Sequence, residues 1–451
     1  MNCFNLLNTE KGTIRKKNFA FKACLIYPNT YKTAMSNLAV HTLYRILNSR
    51  TEIYCERSFY EPFLRGISFE EQSPLKQFDI LAFSVSFEPD ILNAIKILKD
   101  SSIPIGNRER QKPFVIFGGV ASSLCYRFLE GIADAIVFGD GEDVINEIAN
   151  VFLSFSKKGT FKNKITNELS KLKGVYCPSF SKTLPERRQA DLSACDTMTS
   201  IITPHTTFSN TFLIETSRGC AYKCRFCVAG HCLGPYRLHP KHNILHSIEQ
   251  GLRETKKIGL VGSSIANYPD IEQICEKILV SGGSVSVSSI RADTASDELI
   301  KILSKSQKTF TLAPEAGNER LRDYIGKPIK DVKIFQVCQA VHAYCIKSIK
   351  LYFMIGLPSE TQDDIMSIVD LVKKISNIVP VNVSVSIFVP KPGTAFENEK
   401  IISEKDAVQK IDFLKSRFKN TKNIRFSFES PRIAMLQYNL LKGNVTIKET
   451  E

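Results

Sequence analysis

The chain has no apolar run that approaches the ~20 residues needed to cross a bilayer. Its first stretch, Met1 to Lys17, is polar and lacks the apolar core of a signal peptide. These absences exclude a helical membrane protein and a secreted one, so a cytoplasmic location is expected. No internal repeat and no long low-complexity tract is present, which excludes a repeat array. The 13 cysteines are an odd number in a large chain, which argues against a disulfide framework and leaves the thiols reduced. None lies beyond Cys345, which argues against a C-terminal auxiliary cluster. No basic block stands out either. The net charge of +14, from 60 Lys and Arg against 46 Asp and Glu, permits an acidic partner such as RNA. Yet the densest runs are only Arg15-Lys16-Lys17 and Lys171 to Lys173, without an aromatic RNA-binding signature. The charge reads first as a solvated surface.

What is present is an ordinary globular composition, 43% hydrophobic and 24% charged over 451 residues, with room for two or three domains. After an N-terminal arm (1–20), residues 21–152 alternate apolar runs, glycine turns and helical spacing. Ala23–Tyr27, Phe78–Val85, Phe114–Phe117 and Ala135–Phe138 are expected strands, and Asp90 is expected to cap a helix. Such alternation means a doubly wound parallel sheet. Residues 153–210 are rich in Ser, Lys, Thr and Pro and read as a linker, with a short strand pair near Gly174-Val175-Tyr176. Residues 211–400 resume the alternation with six expected strands, which suits a partial (β/α)6 barrel. Residues 401–451 read as a short α+β extension.

The chemistry concentrates after the first strand of the second block. Cys220, Cys224 and Cys227 form a CxxxCxxC array. Structural zinc sites usually collect four protein ligands, and here the fourth would have to be His231 or Cys232. Three clustered thiols suit a 4Fe-4S cluster with one iron left open. His239, His242 and His246 also draw attention, but no carboxylate or Cys pattern joins them, and they read as solvated.

With Phe226 before its last Cys, this array resembles the signature of the radical SAM superfamily, and residues 211–400 resemble its core. The resemblance implies a 4Fe-4S cluster on the three Cys, S-adenosylmethionine (SAM) on the open iron, and an external electron donor of flavodoxin or ferredoxin type. It implies SAM contacts at Phe226, at Ser263 and Ser264 (where the family often has Gly-Gly-Glu), at Arg291, at Glu315 and Arg320, and at Gly356 in Gly356-Leu357-Pro358-Ser359-Glu360-Thr361. Glu315 would accept ribose hydroxyls, Arg320 would pair with the methionine carboxylate, and Gly356 would let the backbone approach adenine. Glu360 reads instead as a first-turn helix acid. Residues 21–152 resemble the cobalamin-binding Rossmann-like domain that precedes many such cores, with Ser84 and Gly118-Gly119 matching its cofactor contacts. Its DxHxxG motif is replaced by Asn29-Thr30-Tyr31-Lys32-Thr33-Ala34, which leaves cobalamin binding open. The implied activity is C–H functionalisation of an unidentified substrate, with methylation as one form. A methylthiotransferase, with a second cluster drawn from Cys24, Cys55 and Cys125, and a non-catalytic iron-sulfur carrier are the alternatives.

Overall fold

The structure is a computed structural model that describes residues 2–155, 162–419 and 421–445. Residues 156–161 of the expected linker and 446–451 of the expected extension lie outside the described residues. The chain divides into two compact units, Met1–Leu213 with Asn439–Glu451, and Ile214–Tyr438.

The first unit is built on β1 (Phe21–Tyr27), β2 (Ile53–Phe59), β3 (Ile80–Ser84), β4 (Phe114–Gly118), β5 (Ala135–Val137) and β6 (Val175–Tyr176). They form a six-stranded sheet in the order β2-β1-β3-β4-β5-β6. The first five are parallel, and β6 pairs antiparallel with β5. The order reverses at β1/β3, the position where doubly wound sheets hold ligands beyond their C-terminal strand ends. Helix Leu38–Ser49 starts where the Asn37 side chain accepts the Ala39 amide. Asp90 does not cap its helix from outside. It is the first residue of Asp90–Asp100, and its carboxylate accepts from Asn29 Nδ2 at 2.8 Å.

Strand β2 carries Glu56-Arg57-Ser58 in its centre, a polar run that hides it from a hydrophobic pattern, yet all seven residues are buried. The Arg57 guanidinium lies between Glu10 and Glu70, at 2.6 Å from each. Glu56 takes Lys22 at 2.7 Å. Burial of these charges is tolerated because each is paired. Within the expected linker, Lys162–Leu169 is a helix and β6 extends the sheet, so the described part of this segment belongs to the first unit.

The second unit contains β7 (Thr211–Glu215), which the unit boundary crosses, β8 (Ser217–Arg218), β9 (Arg237–Leu238), β10 (Lys257–Val261), β11 (Ser284–Val287), β12 (Thr309–Glu315), β13 (Ser348–Ile355), β14 (Val381–Ile387) and β15 (Ile424–Phe428). One sheet runs β11-β10-β7 and another β12-β13-β14-β15, joined by a bridge between Ile290 and Leu312. The six expected barrel strands are all present. Strand β15 pairs parallel with β14, so the expected extension adds a seventh strand to the barrel sheet.

Strands β13 and β14 alternate strictly between buried and half-buried residues. The buried row packs on the helices. Phe426, in register with Val383, contacts Phe418 of helix Glu404–Phe418. The half-buried row therefore faces the inside of the barrel.

Candidate functional site

Strand β7 ends at Glu215, and the antiparallel pair β8/β9 then closes the neck of the thiol loop. Glu215 accepts from Arg218 Nη2 at 2.6 Å and contacts His239 Nε2 at 3.1 Å. Burial pushes its carboxyl up, but His239 and Arg218 outweigh burial and hold it down at about 2. At Gly219, φ is +75° and an added Cβ would lie 2.4 Å from the Pro235 carbonyl oxygen, so this turn requires glycine. Inside the loop the Gly230 backbone lies against Tyr222, leaving no room for a side chain. The expectation for the histidines holds for His242 and His246, which are exposed. It fails for His239, which is 2% exposed and bonded to Glu215, a partner distant in sequence.

Cys224 is buried, and Cys220 and Cys227 are half-buried. Cys220 Sγ lies 3.0 Å from Ser264 Oγ, and Arg291 Nη1 lies 3.8 Å from Cys224 Sγ. Burial pushes the Cys224 thiol up, while Lys327 and Arg291 oppose the shift. Burial also pushes Cys227 up, against amide hydrogen bonds from Ala229 and Gly230. Soft sulfur donors with nearby cations and amide N–H groups fit an iron-sulfur cluster, which binds thiolates. Among the described residues, no three His, Cys, Asp or Glu side chains are gathered so that they could hold a metal ion. Both expected fourth zinc ligands are engaged elsewhere. Cys232 Sγ donates to the Pro392 carbonyl at 3.3 Å, and His231 Nε2 contacts the Cys224 carbonyl at 3.1 Å.

The expected SAM contacts divide into two groups. Ser264 and Arg291 lie beside the thiols. The Arg291 guanidinium stacks on Tyr222, 3.8 Å from the ring centre, and is held by Asp293 at 2.8 Å. Ser263, next to Ser264, is exposed. Phe226 packs against an apolar wall of Ala316, Leu357, Phe388 and Phe396, beyond the ends of β12, β13 and β14. Glu315 ends β12 with φ +69° and pairs with Lys327 Nζ at 2.9 Å.

Arg320 and Gly356 are placed differently. Arg320 is half-exposed and bonded to Asp364 and to the Ser359 carbonyl, where it steadies the start of helix Gln362–Ser376. Gly356, at φ +76°, uses its missing side chain to admit Ile402, whose Cγ2 would lie 2.3 Å from an added Cβ. Glu360 precedes the helix that it was expected to begin. Its carboxylate closes the turn by accepting the Gly356 amide at 2.9 Å and pairs with Lys410. Burial is the largest influence and pushes its carboxyl up. Lys327 was missed by sequence reasoning. The available signal was a lone cation in the otherwise uncharged stretch Ile325-Gly326-Lys327-Pro328-Ile329.

In the first unit the loop after β1 supplies no cobalt ligand. Tyr31 is buried, and its hydroxyl lies 2.7 Å from Glu10 Oε1 and 3.1 Å from Thr203 Oγ1. Gly119 has φ +91° and gives its space to the Val85 carbonyl oxygen, 2.4 Å from an added Cβ. These residues do not fit the histidine-ligated arrangement. The thiols proposed for a second cluster are core residues. The parallel register aligns Cys24 with Glu56 and Ala23 with Cys55, so Cys24 and Cys55 point to opposite faces of the sheet.

The fold and the thiol loop define an α/β enzyme class whose chemistry sits at the C-terminal ends of barrel strands. Residues 39–178 match the family model "Radical SAM proteins, N-terminal", and residues 214–372 match "Radical SAM superfamily". The chain belongs to the radical SAM superfamily. It is 31% identical to uncharacterized protein MJ0966 of Methanocaldococcus jannaschii, over 94% of this chain and 89% of that one. It is 22% identical to a tRNA-2-methylthio-N(6)-dimethylallyladenosine synthase of Pelagibacter ubique, over 52% of this chain and 55% of that one. Its fold resembles that of the cobalamin-dependent S-adenosylmethionine radical enzyme OxsB, with a TM-score of 0.57 at 16% identity. That match covers 95% of this chain and 62% of OxsB, so the chain spans less than two thirds of that protein.

Proposed function

We propose that this enzyme holds a 4Fe-4S cluster on Cys220, Cys224 and Cys227, cleaves SAM reductively, and functionalises a C–H bond of its substrate. The observation that carries this reading is the thiol loop at the end of β7, with Arg291 Nη1 3.8 Å from Cys224 Sγ. When bound, the cluster and SAM together supply a one-electron cleavage that yields a hydrogen-abstracting 5′-deoxyadenosyl group. The chain does the rest. Ser264 orients Cys220, and Arg291, fixed by Asp293 and Tyr222, offsets the negative charge of the thiolates. Glu315, aligned by Lys327, offers a carboxylate beside them, and the Phe226 wall excludes water. The electron comes from an external donor of flavodoxin or ferredoxin type. Anaerobic reconstitution should give about four irons per chain, and dithionite with SAM should then release 5′-deoxyadenosine. An intact cluster that never cleaves SAM would sink this proposal and favour the electron-carrier alternative.

The likeness to OxsB, a cobalamin-dependent radical enzyme, extends over the N-terminal sheet and favours a second reading in which cobalamin binds there, with methyl transfer as the reaction it would then supply. We assign that sheet no cobalt-ligating residue. Hydroxocobalamin titration distinguishes the two: retention of about one cobalt per chain through gel filtration would favour the cobalamin reading.

A further inference from the structure

Barrel interiors are normally filled with branched apolar side chains. The inner face of this barrel sheet is polar. Register places Thr311, Lys350, Asn382 and Arg425 on one rung across β12 to β15. The rung above carries Tyr352, Ser384 and Ser427. None of these residues is fully buried. Lys350 Nζ lies over the Tyr352 ring, 4.7 Å from its centre, and Asn382 Nδ2 donates to Ser348 Oγ at 3.3 Å. Among the described residues neither Lys350 nor Arg425 forms an ion pair.

Two cations on one rung, with a neutral amide on the strand between them, stand about 10 Å apart at their backbones. Like charges without a counterion repel, and the repulsion is relieved when an oxyanion lies between them. Arginine offers paired N–H donors to such a group, lysine adds a point charge, and the Asn382 amide adds a neutral donor. We infer that the Lys350–Asn382–Arg425 rung binds an oxyanion, phosphate or carboxylate, carried by a polar, hydroxyl-bearing substrate. Lys350 stands five residues before the end of β13, about 16 Å along the strand. An elongated molecule anchored there reaches toward the C-terminal ends where the thiols lie, with the hydroxyls of Tyr352, Ser384 and Ser427 along its path.

This assignment names the substrate class of the radical SAM site and rests on that reading. Its test needs neither cluster nor SAM, so either can fail without the other. The full chain is treated with an amine-acylating ester, and modification of Lys350 is followed by mass spectrometry. Inorganic phosphate should slow that modification about fivefold relative to chloride at equal ionic strength, while exposed Lys422 is unaffected. Arg425→Gln, on the half-open edge strand, should remove most of the protection. Protection by acetate as well as phosphate would assign a carboxylate-tolerant site, and protection by phosphate alone a phosphate site. Equal protection in Arg425→Gln, or none by either anion in the wild type, overturns the proposal.

Discussion

At the scale of single residues, the thiol loop depends on one carboxylate. Glu215 holds Arg218 and His239, which lie on either side of the three Cys in sequence. Its folded pKa of about 2 lies below the ordinary carboxylate value. Its stabilising contribution is therefore fully present above about pH 4.5, and it is lost as pH falls through that value toward 2. Glu215→Gln should cost about 1.5–3 kcal/mol at neutral pH by weakening charged hydrogen bonds. The stability difference from wild type should shrink across the acid window, as read by denaturant unfolding at stepped pH. A difference that stays constant from pH 7 to pH 2.5 would show that the folded carboxyl titrates as it does in the unfolded chain, and that Arg218 and His239 do not lower it. The three Cys were legible because their spacing is local. The residues around them were not. Lys327 and Ser264 reach the thiols only through the fold, and Arg320, named from a local likeness, is drawn away by Asp364, 44 residues along the chain.

At the scale of elements, β12 and helix Gln362–Ser376 are brought together by a backbone contact at Gly317. An added Cβ there would lie 2.2 Å from the Ile368 amide nitrogen and 2.4 Å from the Ser367 carbonyl carbon. Backbone of a fifteen-residue helix cannot yield as a flexible side chain does. Gly317→Ala should therefore destabilise the protein by about 1–3 kcal/mol through overpacking, measured by the midpoint of urea unfolding. The same helix begins with a capping box, Thr361 with Asp364, and Asp364 also accepts from Asn318 and Arg320. Thr361→Ala removes one cap bond and should cost about 1 kcal/mol. Asp364→Ala should cost more, since it strands two further donors. Equal costs for the two would mean that the Arg320 and Asn318 bonds contribute nothing. Elements were legible where periodicity was unbroken, as along β13 and β14, whose inner and outer rows alternate without a fault. Strand β2 was lost because Glu56, Arg57 and Ser58 break the apolar pattern. Their partners, Lys22, Glu10 and Glu70, come from other elements.

At the scale of the whole molecule, the question is how many clusters the chain can carry. The methylthiotransferase alternative needs a second cluster from Cys24, Cys55 and Cys125, and the likeness to a methylthio synthase makes it worth deciding. Geometry opposes it within the first unit. Cys24 and Cys55 sit on neighbouring strands but one residue out of register, so the sheet separates them. All three thiols are buried at 1% exposure or less. Burial pushes the Cys24 and Cys55 thiols strongly up. Cys220 and Cys227, by contrast, are half-buried on a loop. Reconstituted protein should therefore hold about four irons per chain and not eight. Cys24→Ala and Cys125→Ala should leave that number unchanged, whereas Cys224→Ala should bring it close to zero. Alanine fits the core space of a cysteine at modest cost, so the two control variants should remain folded by circular dichroism. A wild type with eight irons that falls to four in Cys24→Ala would show that the β1/β2 register opens to admit a cluster, and it would move the enzyme to the methylthiotransferase alternative.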